Sequence, residues 1–225
     1  MTGVQTCALP ISNGNLLQRT VTADGEITYT LIYRAGTGGA IVGAATQQVA
    51  AGASGTAVEA VASGGGAAFR VWSDRNANAT RTDTDVRSNL NVLAMFRSTG
   101  GADLDWYAAR GIAPGGGETW ADVDSRPVAA KGTTLLMENL ADTDPDDTND
   151  VFRVTAVSNG PPLTVRFQPG STGRVYTLQV SADLAGGSWS NVPGQGPRPG
   201  AGGPDMLVDT NALPARFHRI NVELP

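Results

Sequence analysis

Apolar and polar residues alternate along much of the chain, and the pattern begins at Ile27. Tyr29, Leu31 and Tyr33 alternate with threonine and isoleucine, which is the two-residue period of a strand that buries at least one face. Similar short segments follow between glycine-rich turns, at 40–49, 56–62, 68–73, 78–86 and 89–96. The pattern therefore predicts a small, β-dominated module over residues 27–97.

The same alternation returns at Val151 and continues almost to the end of the chain. The candidate strands are 151–157, 163–167, 174–181, 188–192 and 216–222. Turn-forming residues at 159–162 and 169–173 predict the first hairpin connections. Because so many strands fall in a short segment, residues 151–225 are predicted to form a small β-sandwich. The fold class predicted for the whole chain is all-β.

Two segments lack this period. Residues 98–150 are rich in Asp, Gly and Pro and are predicted to form an irregular, acidic connector, in which 104–111 could be a short helix that ends at Gly111. Residues 12–26 are polar and carry a turn at Asp24-Gly25. We interpret them as a linker or as the tail of a preceding module.

The alternation also separates core from surface in the first module. Trp72 and Phe69 have apolar neighbours, so we expect them to anchor the core rather than to form a sugar-stacking platform. Arg81, Asp83 and Asp85 alternate with threonines, and their charges are predicted to form a solvated face rather than a site. The buried face of the last strand is expected to consist of Leu90, Val92, Ala94 and Phe96.

The amino-acid composition of the chain argues against several classes of partner. The net charge is −5 and the pI is near 4.8, which argues against nucleic acid or an anionic membrane as a partner. No apolar run approaches the roughly 20 residues that span a bilayer, so we expect no membrane insertion. The 29 glycines and 13 prolines, with only 16% charged residues, are typical of turn-rich β structure.

The first eleven residues, MTGVQTCALPI, resemble a translated short-read sequencing adaptor whose GTG codon serves as the start. We interpret residues 1–11 as an artefact of a metagenomic gene fragment, so that neither Met1 nor Cys7 is native and any signal peptide has been lost. A genuine apolar leader is the alternative, but the basic segment and the cleavage site of a leader are missing. Without Cys7 the chain has no cysteine for a disulfide or a metal site.

A family resemblance covers about residues 28–96. The runs YTLIYRAGTGGAIVGAATQQVAAGASGTAVEAVASGGG, FRVWSD, TRTDTDV and NLNVLAMF resemble the divergent internalin-type B repeat of bacterial surface proteins, in the same order. The family's Gly-Tyr-x-Phe-x-x-Trp-Ser-Asp-Gly run is only partly kept, since Ala67 and Arg75 replace the tyrosine and the final glycine. The resemblance implies a compact β-grasp-like module of a secreted or surface-anchored protein, in a family not known for enzymes.

The connector contains an imperfect calcium-loop pattern. An EF-hand-type loop has acidic ligands at its first, third and fifth positions, glycine at the sixth and a bidentate glutamate at the twelfth. Asp122 and Asp124 fit the first two ligands, Gly132 fits the glycine, and Glu138 follows at the correct distance. The run NLADTDP after Glu138 resembles the segment that follows such loops in many bacterial surface proteins.

Two departures weaken this pattern. Residues 126–130 look like an insertion between the two halves of the loop. Lys131 falls where a third oxygen ligand is expected, and a lysine cannot serve there because hard divalent ions demand oxygen ligands. The loop could therefore have kept its shape and lost its ion. The dense acidic turn at 142–150, with Asp142 and Asp144, is either a second weak calcium site or a solvated linker.

The C-terminal part is similar to terminal β-sandwich modules of large secreted bacterial repeat proteins. The similarity lies in the runs GRVYTLQ, GSW, DTN and RFHRI, in that order, with His218 where those modules have tyrosine. His218 is the only histidine and is expected to be a structural or surface residue. No nucleophile elbow, zinc-binding pair of histidines or phosphate-binding loop accompanies it, and we predict no catalytic residues.

These observations predict a non-enzymatic C-terminal fragment of a large secreted or cell-surface bacterial repeat protein, acting as a spacer or as adhesive display. The alternative is a set of accessory modules from a secreted polysaccharide-degrading enzyme whose catalytic domain is missing. Trp189 or Trp120 would then bind carbohydrate. We expect an extracellular or cell-surface location, a monomeric fragment, an unidentified glycan or protein as ligand, and no cofactor except weakly bound calcium.

Overall fold

The computed structural model describes residues 5–7, 19–21, 25–158, 162–184, 186–211 and 216–225. The chain divides into two compact units, one of residues 1–99 and 104–120 and the other of residues 100–103 and 121–225. Of the described residues, 43% lie in strands and 10% in helices, which confirms the predicted all-β fold class. The residues expected to form a connector are divided between the two units.

The first unit is built from two sheets and one helix. Its elements are β1 (Gln5–Cys7), β2 (Arg19–Val21), β3 (Ile27–Ala35), β4 (Gly39–Val42), β5 (Thr46–Ala50), β6 (Val58–Ala62), β7 (Ala67–Trp72), β8 (Thr80–Arg81), β9 (Leu90–Ser98) and α1 (Leu104–Ala109). The larger sheet has the order β1-β2-β3-β9-β7, with β5 also paired to β3, and the smaller has the order β4-β6-β8. Strand β2 lies within the residues expected to be a linker.

The centre of the larger sheet is a parallel pair, β3 and β9, in which Leu31 pairs with Leu90 and Ala35 with Ala94. The alternating side chains of both strands face one core. Leu31 is 1% exposed, and Val92, Ala94 and Phe96 are buried, as the two-residue period predicts. Trp72 is fully buried, which confirms its predicted place in the core. The Phe69 ring is partly exposed and lies 6.1 Å from the ring of Trp72.

Two glycines shape this unit. A Cβ atom on Gly39 would overlap the ring of Phe96, so the core admits no side chain there. Gly43 has a φ of +102°, which favours glycine, and it divides the predicted 40–49 strand into β4 and β5. The predicted helix after residue 103 is α1, and Gly111 follows it with a φ of +68°. The predicted 78–86 strand is reduced to β8.

The prediction of a solvated charged face at 81–85 is wrong for Arg81 and Asp83. The threonines are exposed, but the two-residue period turns Arg81 inwards, and its side chain is only 5% exposed. Arg81 Nε and Nη2 donate to the two oxygens of Asp83 at 3.0 and 2.6 Å, and Nη1 donates to Asp74 at 3.1 Å. Arg81 can be buried because its planar guanidinium donates hydrogen bonds to the carboxylates of Asp74 and Asp83.

Aromatic side chains complete the surroundings of Arg81. Its guanidinium carbon lies 5.1 Å from the ring centre of Trp72 and 5.8 Å from that of Tyr33. The Tyr33 hydroxyl donates to Asp83 at 2.7 Å. Burial, together with this hydrogen bond to a carboxylate, raises the pKa of Tyr33 above its usual range. The phenol therefore remains a hydrogen-bond donor at physiological pH.

The second unit contains short helical and extended segments followed by two larger sheets. Its elements are α2 (Trp120–Ser125), which begins one residue before the unit, β10 (Pro127–Val128), β11 (Thr133–Thr134), α3 (Leu135–Ala141), β12 (Arg153–Val157), β13 (Leu163–Gly170), β14 (Val175–Ser181), β15 (Ser190–Asn191), β16 (Arg198–Pro199), β17 (Gly203–Asp209) and β18 (Phe217–Glu223).

The two larger sheets share one apolar core. One sheet has the order β12-β13-β17, and in the other β14 pairs with β15, β16 and β18. The core consists of Val165, Phe167 and Leu207 from the first sheet and Tyr176, Leu178 and Val180 from the second, with Val192 from the chain after β15. The turn at 169–173 connects β13 in one sheet to β14 in the other. The prediction of a hairpin there is therefore wrong. Three residues of the other predicted turn, 159–161, lie outside the described residues.

Replacing Trp72 by alanine is expected to destabilise the first unit by about 3–5 kcal/mol, because it removes the largest fully buried side chain of that core. Urea unfolding followed by circular dichroism measures the change. Val42→Ala is the control, since Val42 is 56% exposed and its truncation should cost less than about 0.5 kcal/mol. An unchanged unfolding midpoint for Trp72→Ala would contradict the core assignment.

Arg81→Met keeps a side chain of similar length but leaves the carboxylates of Asp74 and Asp83 without their cation. We expect a loss of about 3–5 kcal/mol in the free energy of unfolding, as for other buried ion pairs that lose one partner. Arg87→Met is the matched control, because Arg87 is 75% exposed in its pair with Asp85 and should leave the midpoint unchanged. Equal effects of the two substitutions would show that burial of Arg81 contributes nothing.

Candidate functional site

The loop that carries the calcium pattern is a tight turn between two short strands. Strands β10 and β11 pair antiparallel, and the amides of Lys131 and Gly132 both donate to Val128 O at 3.0 Å. Gly132 has a φ of +67°, in the left-handed region that favours glycine. Thr134 caps α3 by accepting a hydrogen bond from the Met137 amide at 3.4 Å. The turn and the cap together place Lys131 beside α3.

The ammonium group of Lys131 is surrounded by oxygen atoms. Its Nζ donates to Glu138 Oε2 at 2.5 Å, to the backbone oxygen of Asp144 at 2.9 Å and to the backbone oxygen of Asp150 at 2.5 Å. An ammonium group has three protons, and each has an acceptor here. The Lys131 side chain is 1% exposed and that of Glu138 is 3% exposed. The pair is therefore withdrawn from water.

Glu138 is held by two hydroxyl groups in addition to Lys131. Thr133 Oγ1 donates to Glu138 Oε1 and Thr143 Oγ1 donates to Glu138 Oε2, both at 2.5 Å. Burial alone would raise the pKa of Glu138, but the bonds from Lys131 and the two threonines lower it below its usual range. The carboxylate is thus stabilised in its charged form at neutral pH.

The acidic segment after α3 is ordered by its own hydrogen bonds. Asp144 N donates to a carboxylate oxygen of Asp150 at 2.8 Å, and a carboxylate oxygen of Asp144 accepts from Asp146 N at 3.0 Å. Asp142 ends α3 in the left-handed conformation, with a φ of 58°, and accepts a hydrogen bond from Ser171 Oγ at 2.5 Å. These contacts shape the segment so that two of its backbone oxygens point at Lys131.

Arg174 ties α3 to the β-sandwich of the same unit. Its side chain is 6% exposed and lies 3.6 Å from a carboxylate oxygen of Asp142. Arg174 Nη2 and Nε donate to the backbone oxygen of Asn139 at 2.5 and 3.1 Å. The carbonyl groups of the last turn of a helix lack partners within the helix, so this arginine both satisfies them and complements the helix dipole.

The five predicted calcium ligands are placed on different elements. Asp122 is exposed and Asp124 is buried on α2, Glu138 is buried on α3, and Asp142 and Asp144 follow α3. In the part of the chain that the structure describes, no group of three or more Asp, Glu, His or Cys side chains is arranged to hold a metal. Glu138 is instead surrounded by Lys131 and two threonines, and the backbone oxygens of Asp144 and Asp150 bind Lys131. Calcium binding stays a prediction.

An apolar groove of about 460 Å³ adjoins the ion pair. The sequence offered no signal for it, because its walls come from distant segments of the second unit. They include Met137 and Leu140 of α3, Val151 and Phe152 of the following segment, and Ile220 and Val222 of β18. Lys131 and Glu138 also line it.

The only histidine is held in a structural pair. His218 Nε2 lies 3.0 Å from Asp209 Oδ2, and the two side chains are 10% and 5% exposed. Asp209 also accepts a hydrogen bond from Asn211 N at 2.9 Å. Burial would raise the pKa of Asp209, but the contacts with His218 and Asn211 lower it below its usual range. Such a pair fixes β17 against β18.

The two tryptophans considered for sugar binding differ in exposure. Trp120 is 7% exposed and stacks on Tyr107 with ring planes 5° apart, so it offers no open face. Trp189 is partly exposed, and the guanidinium of Arg219 lies 4.4 Å from its ring centre. Arg219 Nε is held by Gln179 Oε1 at 2.8 Å. Trp189 is therefore a partly exposed aromatic residue whose ring contacts the guanidinium of Arg219.

Within the described residues, no helix has the length and hydrophobicity needed to cross a membrane.

Comparison with known proteins identified no relative of this chain. No family model matches the chain, and neither the curated proteins nor the solved structures contain a significant match.

Proposed function

We propose that this chain is a non-enzymatic spacer or display module of a secreted or cell-surface bacterial protein. The observation that carries the proposal is that its buried charged side chains hold loops and helix ends in place. Arg81 holds two loops against the core of the first unit, Arg174 binds the end of α3 to the β-sandwich, and Lys131 binds the acidic segment after α3 to that helix. Such groups stabilise the scaffold and leave recognition to exposed loops.

The first unit supports this role through Arg81. Asp74 lies in the loop between β7 and β8, and Asp83 lies just after β8, so one guanidinium holds both connections against the core. The hydrogen bond from Tyr33 adds the central strand β3 to the same group. A unit fastened in this way is suited to bearing load between neighbouring modules.

The resemblance of residues 28–96 to internalin-type B repeats supports an extracellular, adhesion-type setting. The net charge of −5 agrees with a module that remains dispersed at a negatively charged surface. Both arguments favour a chain that acts through its length and its exposed loops, with a glycan or a protein as its unidentified ligand.

A spacer of this kind should be monomeric and resistant to proteolysis. Size-exclusion chromatography with light scattering is expected to give one chain, 23.1 kDa. Chymotrypsin should cleave the native chain slowly, and the Arg81→Met variant much faster, because its loops are released. A concentration-dependent dimer, or a native chain digested as fast as the variant, would contradict the proposal.

The second candidate function is carbohydrate binding through Trp189. The supporting observation is that Trp189 is partly exposed and that its sequence neighbours Ser188 and Ser190 line a depression of about 340 Å³ together with Arg216. Sugar rings stack on aromatic faces, and hydroxyl and guanidinium groups bind sugar hydroxyls. The chain would then be an accessory module of a polysaccharide-degrading enzyme.

A glycan array separates the two functions. Carbohydrate binding predicts a saturable signal that Trp189→Ala removes and Trp189→Phe largely keeps, because phenylalanine retains an aromatic face. Both variants should keep the wild-type free energy of unfolding to within about 1 kcal/mol, since the ring is not part of the core. A glycan signal that survives Trp189→Ala would exclude this residue, and no signal at all favours the spacer.

A further inference from the structure

We propose that the ammonium of Lys131 takes the place of a bound calcium ion, so that the connector carries its own cation. The oxygens around Nζ then form a latent Ca²⁺ site, which opens when Lys131 is replaced by a short acidic side chain. The proposal concerns the second unit alone and is independent of the spacer role.

The first argument is the identity of the atoms around the ammonium. They are one carboxylate oxygen, from Glu138, and two backbone oxygens, from Asp144 and Asp150. Calcium prefers this mixture of carboxylate and carbonyl oxygens. An ammonium is also a compact, strongly hydrated cation that needs the same kind of acceptor when it leaves water. The pocket therefore offers the kind of oxygen ligand that a small hard cation needs, and water would complete the coordination of a calcium ion.

The second argument is the position of Lys131 in the loop. Gly132 has the left-handed φ that suits the glycine of a calcium loop, and Glu138 lies six residues beyond it, as the bidentate glutamate does. Lys131 therefore occupies the fifth position, from which an aspartate would reach the ion. The longer lysine side chain reaches past that point and places its own charge among the oxygens.

The third argument is electrostatic. A carboxylate that is 3% exposed is costly unless a cation faces it. Thr133 and Thr143 donate to Glu138 but bring no charge, so Lys131 alone provides the neutralising charge among the contacts described for it. Lys131 is the only lysine in a sequence whose other strong cations are all arginines. A planar guanidinium could not match the three converging oxygens as an ammonium does.

An ordinary buried ion pair would predict a different response to substitution. If Lys131 only neutralised Glu138, Lys131→Asp would bring two carboxylates together, and calcium would not restore stability. If the pocket is a cation site, the same substitution creates a second carboxylate ligand for Ca²⁺. The two possibilities therefore predict opposite effects of calcium on one variant.

The main experiment measures melting temperatures of the full chain with 10 mM CaCl₂ and with EDTA. The wild-type protein should melt at the same temperature in both. Lys131→Asp should melt lower in EDTA and recover in calcium, with calorimetric binding at a Kd on the order of 10⁻⁴–10⁻³ M, as in extracellular calcium modules. Lys131→Met and the double variant Lys131→Asp/Glu138→Gln are the controls, and neither should respond to calcium.

A second measurement uses the wild-type chain and does not depend on any variant folding. Because Lys131 is the only lysine, acetylation by an amine-selective reagent, read by mass spectrometry of its peptide, reports on this one site. We expect strong protection relative to the chain in urea, to the same degree with and without calcium.

Three outcomes would overturn the proposal. The first is saturable calcium binding by the wild-type chain that Glu138→Gln abolishes, because the ion would then displace the ammonium. The second is a Lys131→Asp variant that calcium fails to stabilise, whether folded or not. The third is a native Lys131 that is acetylated as fast as in urea.

Discussion

A buried cation surrounded by oxygen acceptors is the interaction on which both units depend. In the first unit the guanidinium of Arg81 binds two carboxylates and faces two aromatic rings. In the second, the ammonium of Lys131 binds one carboxylate and two backbone oxygens. Both cations bind segments without regular structure, namely the loops of Asp74 and Asp83 in the first unit and the segment of Asp144 and Asp150 in the second. Because a buried charge without partners is so unfavourable, each cation requires its loops to adopt one arrangement.

The chain has many glycines and few charged residues. The packing of its sheets therefore does not by itself determine the conformation of the long connections between strands. Apolar burial stabilises the strands, but it does not specify the path of a polar loop. Directional bonds to Arg81, Lys131 and Arg174 provide that specification, since each cation has a fixed number of donors and a fixed geometry. The stability of the loops is therefore concentrated in a few residues, whereas that of the sheets is spread over many.

The sequence allowed many of the strands of both units to be predicted, and it identified Trp72 as a core residue, because strand periodicity is a local property. It missed β17, which pairs with β13. It did not reveal that Arg81 is buried. Alternation predicts that Arg81 lies on the opposite face of its strand from the threonines. It does not predict that this face is buried, because the burial comes from the packing of Tyr33 and Trp72 against Arg81. The turn at 169–173 was mistaken for a hairpin for a similar reason. A turn signal shows that the chain reverses, and not which sheet the next strand joins.

The candidate site was predictable in outline. The spacing of Gly132 and Glu138 located the loop, and the lysine before the glycine was recognised as a departure from calcium ligation. Its role was hidden because two of its three acceptors are backbone oxygens, which any residue type supplies. The apolar groove was equally hidden, since strand β18 contributes to it from the far end of the sequence. Contacts through the backbone or between distant segments leave no trace in a local pattern.

The parallel pairing of β3 and β9 has a mechanical consequence. Because the two strands are parallel, the start of β3 and the end of β9 lie at opposite ends of the pair. Tension applied between these two points would therefore shear the strands past each other and load all the hydrogen bonds between them at once, instead of unzipping them one by one. At about 3.3 Å per residue each nine-residue strand is roughly 30 Å long, and because the two strands lie side by side their lengths add to the reach of the chain only after the bonds between them break.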